Sequence, residues 1–226
     1  MSLAPAAGRD EGSGGARRIG LFGGAFDPPH VAHVALARAA VEQLGLDELR
    51  ILPTGDAWHK ERALSPAMHR LAMANLAFGS LANTVVDDRE IRRSGASYTI
   101  DTLEEVGREH PGSKLYLVIG GDQADAFRSW RRWQDILEIA TVCIAERVRP
   151  LRPDVEAGSD DAVSEAFRIL DLPLMPVSAT DIRRQIAADA AEPGAISQLV
   201  PESVARYISL HRLYGNRPSQ PPEATA

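Results

Sequence analysis

The sequence predicts an α/β protein built on a parallel β-sheet. Three observations carry this expectation. Short apolar runs alternate with stretches of helical period from Arg18 to Leu210, which is the pattern of repeated βαβ units. The first run, IGLF, passes through Gly23-Gly24 into a helical pattern, as the chain does at the rim of such a sheet. Hydrophobic residues make up 44% of the 226 residues, enough for the core of one domain of this length.

Each element has its own local reason. Residues 1–16 are rich in Gly, Ala and Ser without hydrophobic period, so a disordered arm is expected there. A strand follows at Arg18–Phe22. Val34, Ala37, Val41 and Leu44 then recur on one helical face, and the helix should stop at Gly45. The next strand is expected at Leu49–Leu52. Ser65-Pro66 opens a second helix, with serine as the cap and proline in the first helical position. Thr84–Asp87 reads as a strand, and Ile100, Leu103 and Val106 mark a helix. Leu115–Ile119 is a strand, Trp133, Ile136, Leu137 and Ala140 mark a helix, and Thr141–Ala145 is a strand.

Arg147–Asp161 combines prolines with many charges and reads as an exposed connection. A sixth strand is expected near Phe167–Leu170, then helices at Thr180–Ala188 and Pro201–Leu210. The tail from Gly215 to Ala226 should be flexible, leaving 17–214 as a single domain. No internal repeat is evident.

Composition excludes several classes. No apolar run approaches the roughly 18 residues of a membrane span, and the first residues lack the apolar core of a secretory signal. A net charge of −6 argues against a non-specific nucleic-acid binder, yet leaves room for a small anionic ligand held by a few focused donors. The single cysteine, Cys143, lies in the apolar run TVCIA and fits a buried thiol in a reducing compartment. A cytoplasmic enzyme is the expectation, with homo-oligomerisation left open.

The run IGLFGGAFDPPHVAH holds the first candidate site. Glycine lets backbone amides come close to a phosphate, and a following helix terminus adds partial positive charge. His30 and His33 are three residues apart and share a helix face that overlaps the stripe of Val34, Ala37 and Val41. They should therefore face the mouth of the sheet, where imidazoles can donate to phosphate oxygens or neutralise a leaving pyrophosphate. A glycine pair after a strand is often only a turn, and two histidines can be a core pair or half a metal site. No cysteine or acid cluster nearby completes a zinc set.

PVSATDIRRQI holds the second. Ser178 and Thr180 are natural caps for the helix behind them, and Arg183 lies one turn in. Such residues are often caps and surface charge alone. Together they also make an anion site with a guanidinium arm, which suits a triphosphate.

GGAFDPPHVAH and VSATDIR resemble the two nucleotide signatures of the nucleotidyltransferase superfamily. ASYTIDTL at 96–103, IGGDQ at 119–123 and FRSWRRW at 127–133 are similar to the bacterial nicotinate-nucleotide adenylyltransferase branch. The five segments keep the family order, and the resemblance spans roughly Arg18 to Tyr214. The resemblance implies a Rossmann-like, doubly wound parallel sheet of the nucleotidyltransferase type. It also implies transfer of AMP from ATP to nicotinate mononucleotide, assisted by Mg²⁺ and with no side-chain nucleophile.

By the same resemblance, Gly23, Gly24, Ala25 and Phe26 would line the reacting phosphates. His30, His33, Ser178, Thr180 and Arg183 would hold ATP, with Gly120 and Asp122 beside its ribose or adenine. Tyr98, Thr99 and Trp130 would form the nicotinate pocket, and Lys60 would stand near the acceptor phosphate. Two positions depart from the family pattern: Ala32, where glycine usually precedes the second histidine, and Trp58, where proline commonly precedes the His-Lys pair. A phosphopantetheine-type adenylyltransferase and a silent nucleotide-binding regulator are the competing readings.

Overall fold

A computed structural model describes residues 15–55, 64–145, 166–173, 175–188 and 196–215. Lys60, Trp58, the Arg147–Asp161 connection and nearly all of both expected tails lie outside the described residues.

The strands are β1 (Arg18–Gly24), β2 (Glu48–Pro53), β3 (Thr84–Val86), β4 (Lys114–Gly120), β5 (Ala140–Ala145) and β6 (Phe167–Leu170). They form one sheet in the order β3-β2-β1-β4-β5-β6, and every pairing is parallel. This is the doubly wound Rossmann-like order, with its switch point between β1 and β4. Both faces are covered, so the central strands are apolar throughout. Ile19, Leu21, Leu115, Leu117 and Ile119 join one core cluster, with α4 (Thr99–Glu109) and α6 (Trp133–Ile139). Phe22, Tyr116 and Val118 join the other, against α1 (Val31–Leu44), α2 (Ala67–Phe78), α7 (Ala179–Ala188) and α8 (Glu202–Leu210).

Two short helices, α3 (Arg89–Arg92) and α5 (Gly121–Ala126), have no counterpart in the sequence reading, because four to six residues are too few to show a helical period. Among the described residues, no helix is long and apolar enough to cross a membrane.

Several boundaries move for local reasons. In α1 the buried face is Leu36, Ala37, Ala39, Ala40 and Leu44; Val34 and Val41 only flank it. The helix ends at Gly45 in the left-handed conformation, φ 57°, as expected. The helix opened by Ser65-Pro66 starts one residue later, with Pro66 as the N-cap and no side-chain cap. Ser65 is occupied elsewhere: its amide donates to Asp27 Oδ2 (3.2 Å) and its carbonyl accepts from Arg70 Nε (3.0 Å). Ala140 already belongs to β5. Pro201 caps α8 instead of entering it.

An ionic seam fixes α3 beside the sheet. Arg50 of β2 bonds Glu48 (2.6 Å) and Asp87 (3.0 Å), and Arg89 bonds Asp87 (2.8 Å). Burial pushes the Asp87 carboxyl up, but the Arg89 amide and guanidinium, with Arg50, hold it below the usual carboxylate range.

Candidate active site

β1 runs out at Gly23-Gly24 beside the end of β4 at Gly120, and a cleft of about 1210 Å³ opens over these ends. That exceeds the ~300–1,000 Å³ of an ordinary small-molecule pocket. Two nucleotides fit such a space better than one.

The turn after β1 is shaped by Phe26. Its backbone is left-handed, φ 47°, which costs about 1–2 kcal/mol for a residue with a β-carbon. The ring is 2% exposed and packs edge-on to Phe22 (5.5 Å) and Phe78 (5.3 Å). Burying a phenylalanine contributes about 1.5–3 kcal/mol, which offsets the backbone cost. A β-carbon at Gly24 would stand 3.0 Å from this ring, whereas one at Gly23 would meet nothing within 4 Å. Gly24 is needed for packing; Gly23 leaves the floor of the cleft bare.

His30 is the N-cap of α1 and is buried; His33 sits at the third helical position. The rings stack 3.7 Å apart, and both line the cleft. The His30 amide donates to His33 Nδ1 (3.2 Å), the reciprocal bond that a glutamate or glutamine makes in a capping box. With Nδ1 accepting this amide, Nε2 is the ring nitrogen left to donate toward the cleft. The sequence reading, which treated both rings as possible cations, did not foresee this local use.

At the second signature, Ser178 Oγ accepts the Asp181 amide (3.1 Å) and donates to Asp181 Oδ2 (2.7 Å). It is a helix cap. Thr180 is not: it lies within the first turn of α7, and its Oγ1 accepts from Arg183 Nη2 (3.1 Å). Arg183 Nη1 donates to the main-chain oxygen of Asp27 (2.7 Å). The two signatures therefore meet across the cleft through the arginine.

Asp27 and Arg70 were not singled out from the sequence. Each is 2% exposed. Asp27 accepts the Tyr214 hydroxyl on Oδ1 (2.6 Å) and the Ser65 amide on Oδ2 (3.2 Å). Arg70 donates to the carbonyls of Ser65 (3.0 Å), Ala25 (3.2 Å) and Gly55 (3.3 Å). It thereby ties the β1 turn to Gly55 and Ser65. An arginine on the inward face of α2, within HRLAMANLAF, was the available signal.

On the opposite wall, Gly120 caps α5, and a β-carbon there would lie 2.8 Å from Asp122 Oδ1. Tyr98 is the N-cap of α4, so that helix opens at Tyr98 and Thr99, both lining the cleft. Trp130 leans on Phe127 (5.5 Å) and lines the same wall. The guanidinium of Arg131 lies 4.5 Å from the centre of the Tyr98 ring, a cation that reading ASYT alone could not supply. Glu90 also reaches the cleft. It is 7% exposed and accepts from Thr102 Oγ1 (3.0 Å). Burial pushes its carboxyl above the usual range, against the Thr102 bond and the charge of Arg93.

A parallel sheet with the two signatures meeting over its switch point is the architecture of a nucleotidyltransferase, and the model of the family described as cytidylyltransferase-like matches residues 21–185. A protein of Albidiferax ferrireducens named "Probable nicotinate-nucleotide adenylyltransferase" is 51% identical over 198 residues, covering 88% of this chain and 98% of that protein. One of the same name from Methylibium petroleiphilum is 42% identical, with 88% and 92% covered. The chain belongs to the nicotinate-nucleotide adenylyltransferase family. Its fold is also that of the Plasmodium falciparum nicotinic acid mononucleotide adenylyltransferase complexed with NaAD, at a TM-score of 0.69 and 17% identity over 88% of this chain and 97% of that one.

Proposed function

We propose that this protein transfers AMP from ATP to nicotinate mononucleotide in the cytoplasm, releasing pyrophosphate and nicotinate adenine dinucleotide. One observation carries the reading. A single cleft holds the bare turn at Gly23, His30, His33 and Arg183 on one side, and Tyr98, Thr99 and Trp130 on the other. An oxygen of the acceptor phosphate attacks the α-phosphorus of ATP. As that P–O bond forms, the bond to the bridging oxygen breaks and pyrophosphate leaves with the electron pair. No side chain is consumed. His33 Nε2–H and the Arg183 guanidinium donate to the phosphate oxygens, and their fixed positions supply the catalysis.

The imidazole, guanidinium and amide donors facing the cleft suit phosphate oxygens. Mg²⁺ fits as a partner of the triphosphate itself, bound through phosphate oxygens and water, where it would neutralise charge. Ser178 and Thr180 support the ATP side by setting the start of α7 and the pose of Arg183. Gly120 and Asp122 face the nucleoside. At the acceptor, the N-terminus of α4 offers amide donors to the nicotinate carboxylate, and Trp130 offers a stacking face. Lys60, outside the described residues, is assigned to the acceptor phosphate on resemblance alone. The cytoplasmic reading draws on Cys143, a buried thiol pushed up to about 12.

Pyrophosphate release measured in parallel with nicotinate mononucleotide, nicotinamide mononucleotide and phosphopantetheine tests this. The nicotinate form should be used best. Release only with phosphopantetheine, or with none, would overturn the assignment.

A further inference from the structure

The segment after α8 returns to the site. After α8, Leu213 donates its amide to the Ile208 carbonyl (3.0 Å), and the backbone turns through Arg212 at φ 49° and Tyr214 at φ 65°. Both residues carry β-carbons and occupy the left-handed region, which such residues disfavour. A turn of this kind persists where something docks it. The dock is the Tyr214 phenol, which donates to Asp27 Oδ1 over 2.6 Å and lies 3.9 Å from Met73 Sδ. Burial pushes this hydroxyl's pKa upward, and so do the charge and hydrogen bond of Asp27. It therefore stays a donor.

Asp27 is where this contact becomes functional. The residue follows Phe26 in the phosphate turn, and its carbonyl is the acceptor for Arg183 Nη1. Its carboxylate has a bond on each oxygen, Tyr214 on one and the Ser65 amide on the other. Losing the Tyr214 bond loosens the hold on the Asp27 side chain, and the carbonyl that Arg183 grips belongs to the same residue.

We infer that Tyr214 is a positioning residue: acting through Asp27, it holds Arg183 where the triphosphate reacts. This rests on reading the cleft as the site of adenylyl transfer. Tyr214 itself need not touch substrate.

Tyr214→Phe removes only the phenol oxygen. Because the misplacement is felt at the reacting phosphates, kcat/KM should fall about tenfold, mostly in kcat, with KM for the acceptor unchanged. A merely structural tyrosine would lower Tm and leave the kinetics of the folded enzyme alone. In an Arg183→Ala background the same substitution should cost less than about twofold, since the group it positions is gone.

Unchanged kinetics, or an undiminished tenfold loss in the Arg183→Ala background, would overturn the inference. If Tyr214→Phe does not fold, Asp27→Asn weakens the same contact from the acceptor side and is judged by the same two criteria. Wild-type enzyme is assayed first. No pyrophosphate release with any acceptor fells the reading of the cleft and this inference with it. An active wild type with a kinetically normal Tyr214→Phe fells this inference alone.

Discussion

Arg183 Nη1 and the main-chain oxygen of Asp27 stand 2.7 Å apart, although 156 positions separate them in the chain. The same guanidinium bonds Thr180 Oγ1 at 3.1 Å. A planar fork makes both contacts at once from two nitrogens, and on the proposed reading the same group serves the phosphates. Arg183→Lys keeps the charge and loses the fork, so kcat/KM should fall at least ~10-fold, the loss expected for a charged hydrogen bond. Steady-state kinetics on the folded variant decide it, and full activity would mean that charge alone suffices.

His33→Ala removes the Nε2–H donor. It also removes the acceptor of the His30 amide. The first effect should lower kcat/KM at least ~10-fold. The helix should survive, because alanine favours it. Circular dichroism and pyrophosphate release on one sample separate the two effects. Wild-type kinetics in the folded protein would remove His33 from the phosphate site.

The glycine pair should divide its roles. Gly24→Ala drives a methyl group to 3.0 Å from the buried Phe26 ring, so overpacking should cost about 1–3 kcal/mol of stability. Gly23→Ala meets no protein atom within 4 Å and should leave Tm unchanged. Its methyl group occupies the space a phosphate would take, and a displacement of about 1 Å there can cost ~100-fold in rate. Equal effects of the two on Tm and on rate would contradict this division.

Acceptor choice should follow charge. Nicotinate carries a carboxylate where nicotinamide carries an amide, and an amide NH₂ would face the α4 donors without an acceptor. Unpaired buried polar groups cost roughly 1–3 kcal/mol each, so discrimination of at least ~10-fold is expected. Arg131→Ala should narrow that ratio by withdrawing the cation 4.5 Å from Tyr98. Trp130→Ala should weaken use of both mononucleotides with less effect on ATP. Equal kcat/KM for the two acceptors in wild type would remove the carboxylate site.

Glu90 sets a pH dependence of stability. Its carboxyl titrates above the usual range because it is buried. The folded state thus binds this proton more tightly than the unfolded one. Its favourable contribution is complete below the unfolded pKa and is lost as pH rises through the folded value. Glu90→Gln keeps an acceptor for Thr102 and cannot ionise. Its Tm should exceed wild type at pH 8, with the gap closing by pH 4. A gap that widens toward low pH would reverse the assigned sign.

Much of the fold was legible because parallel strands and amphipathic helices leave periodic marks. Leu115, Leu117 and Ile119 on one face, with Tyr116 and Val118 on the other, read directly as a buried strand. α3 and α5 were not legible, being too short to repeat. The start of α2 was misplaced by one residue: Ser65 makes no side-chain cap, and its main chain is drawn to Asp27 and Arg70, the first a partner 38 positions away that no local rule foresees.

The sequence by itself determined the alternation of elements, the two signature segments and the family, since each is written in contiguous residues. The tertiary structure alone decided how those signatures meet. Arg183 grips Asp27, Arg70 gathers three carbonyls, Arg131 lies over Tyr98, and Tyr214 closes on Asp27 after β1. Each contact joins segments that the sheet order brings together. A hydrogen bond depends on distance and direction in space, and neither is set by position along the chain.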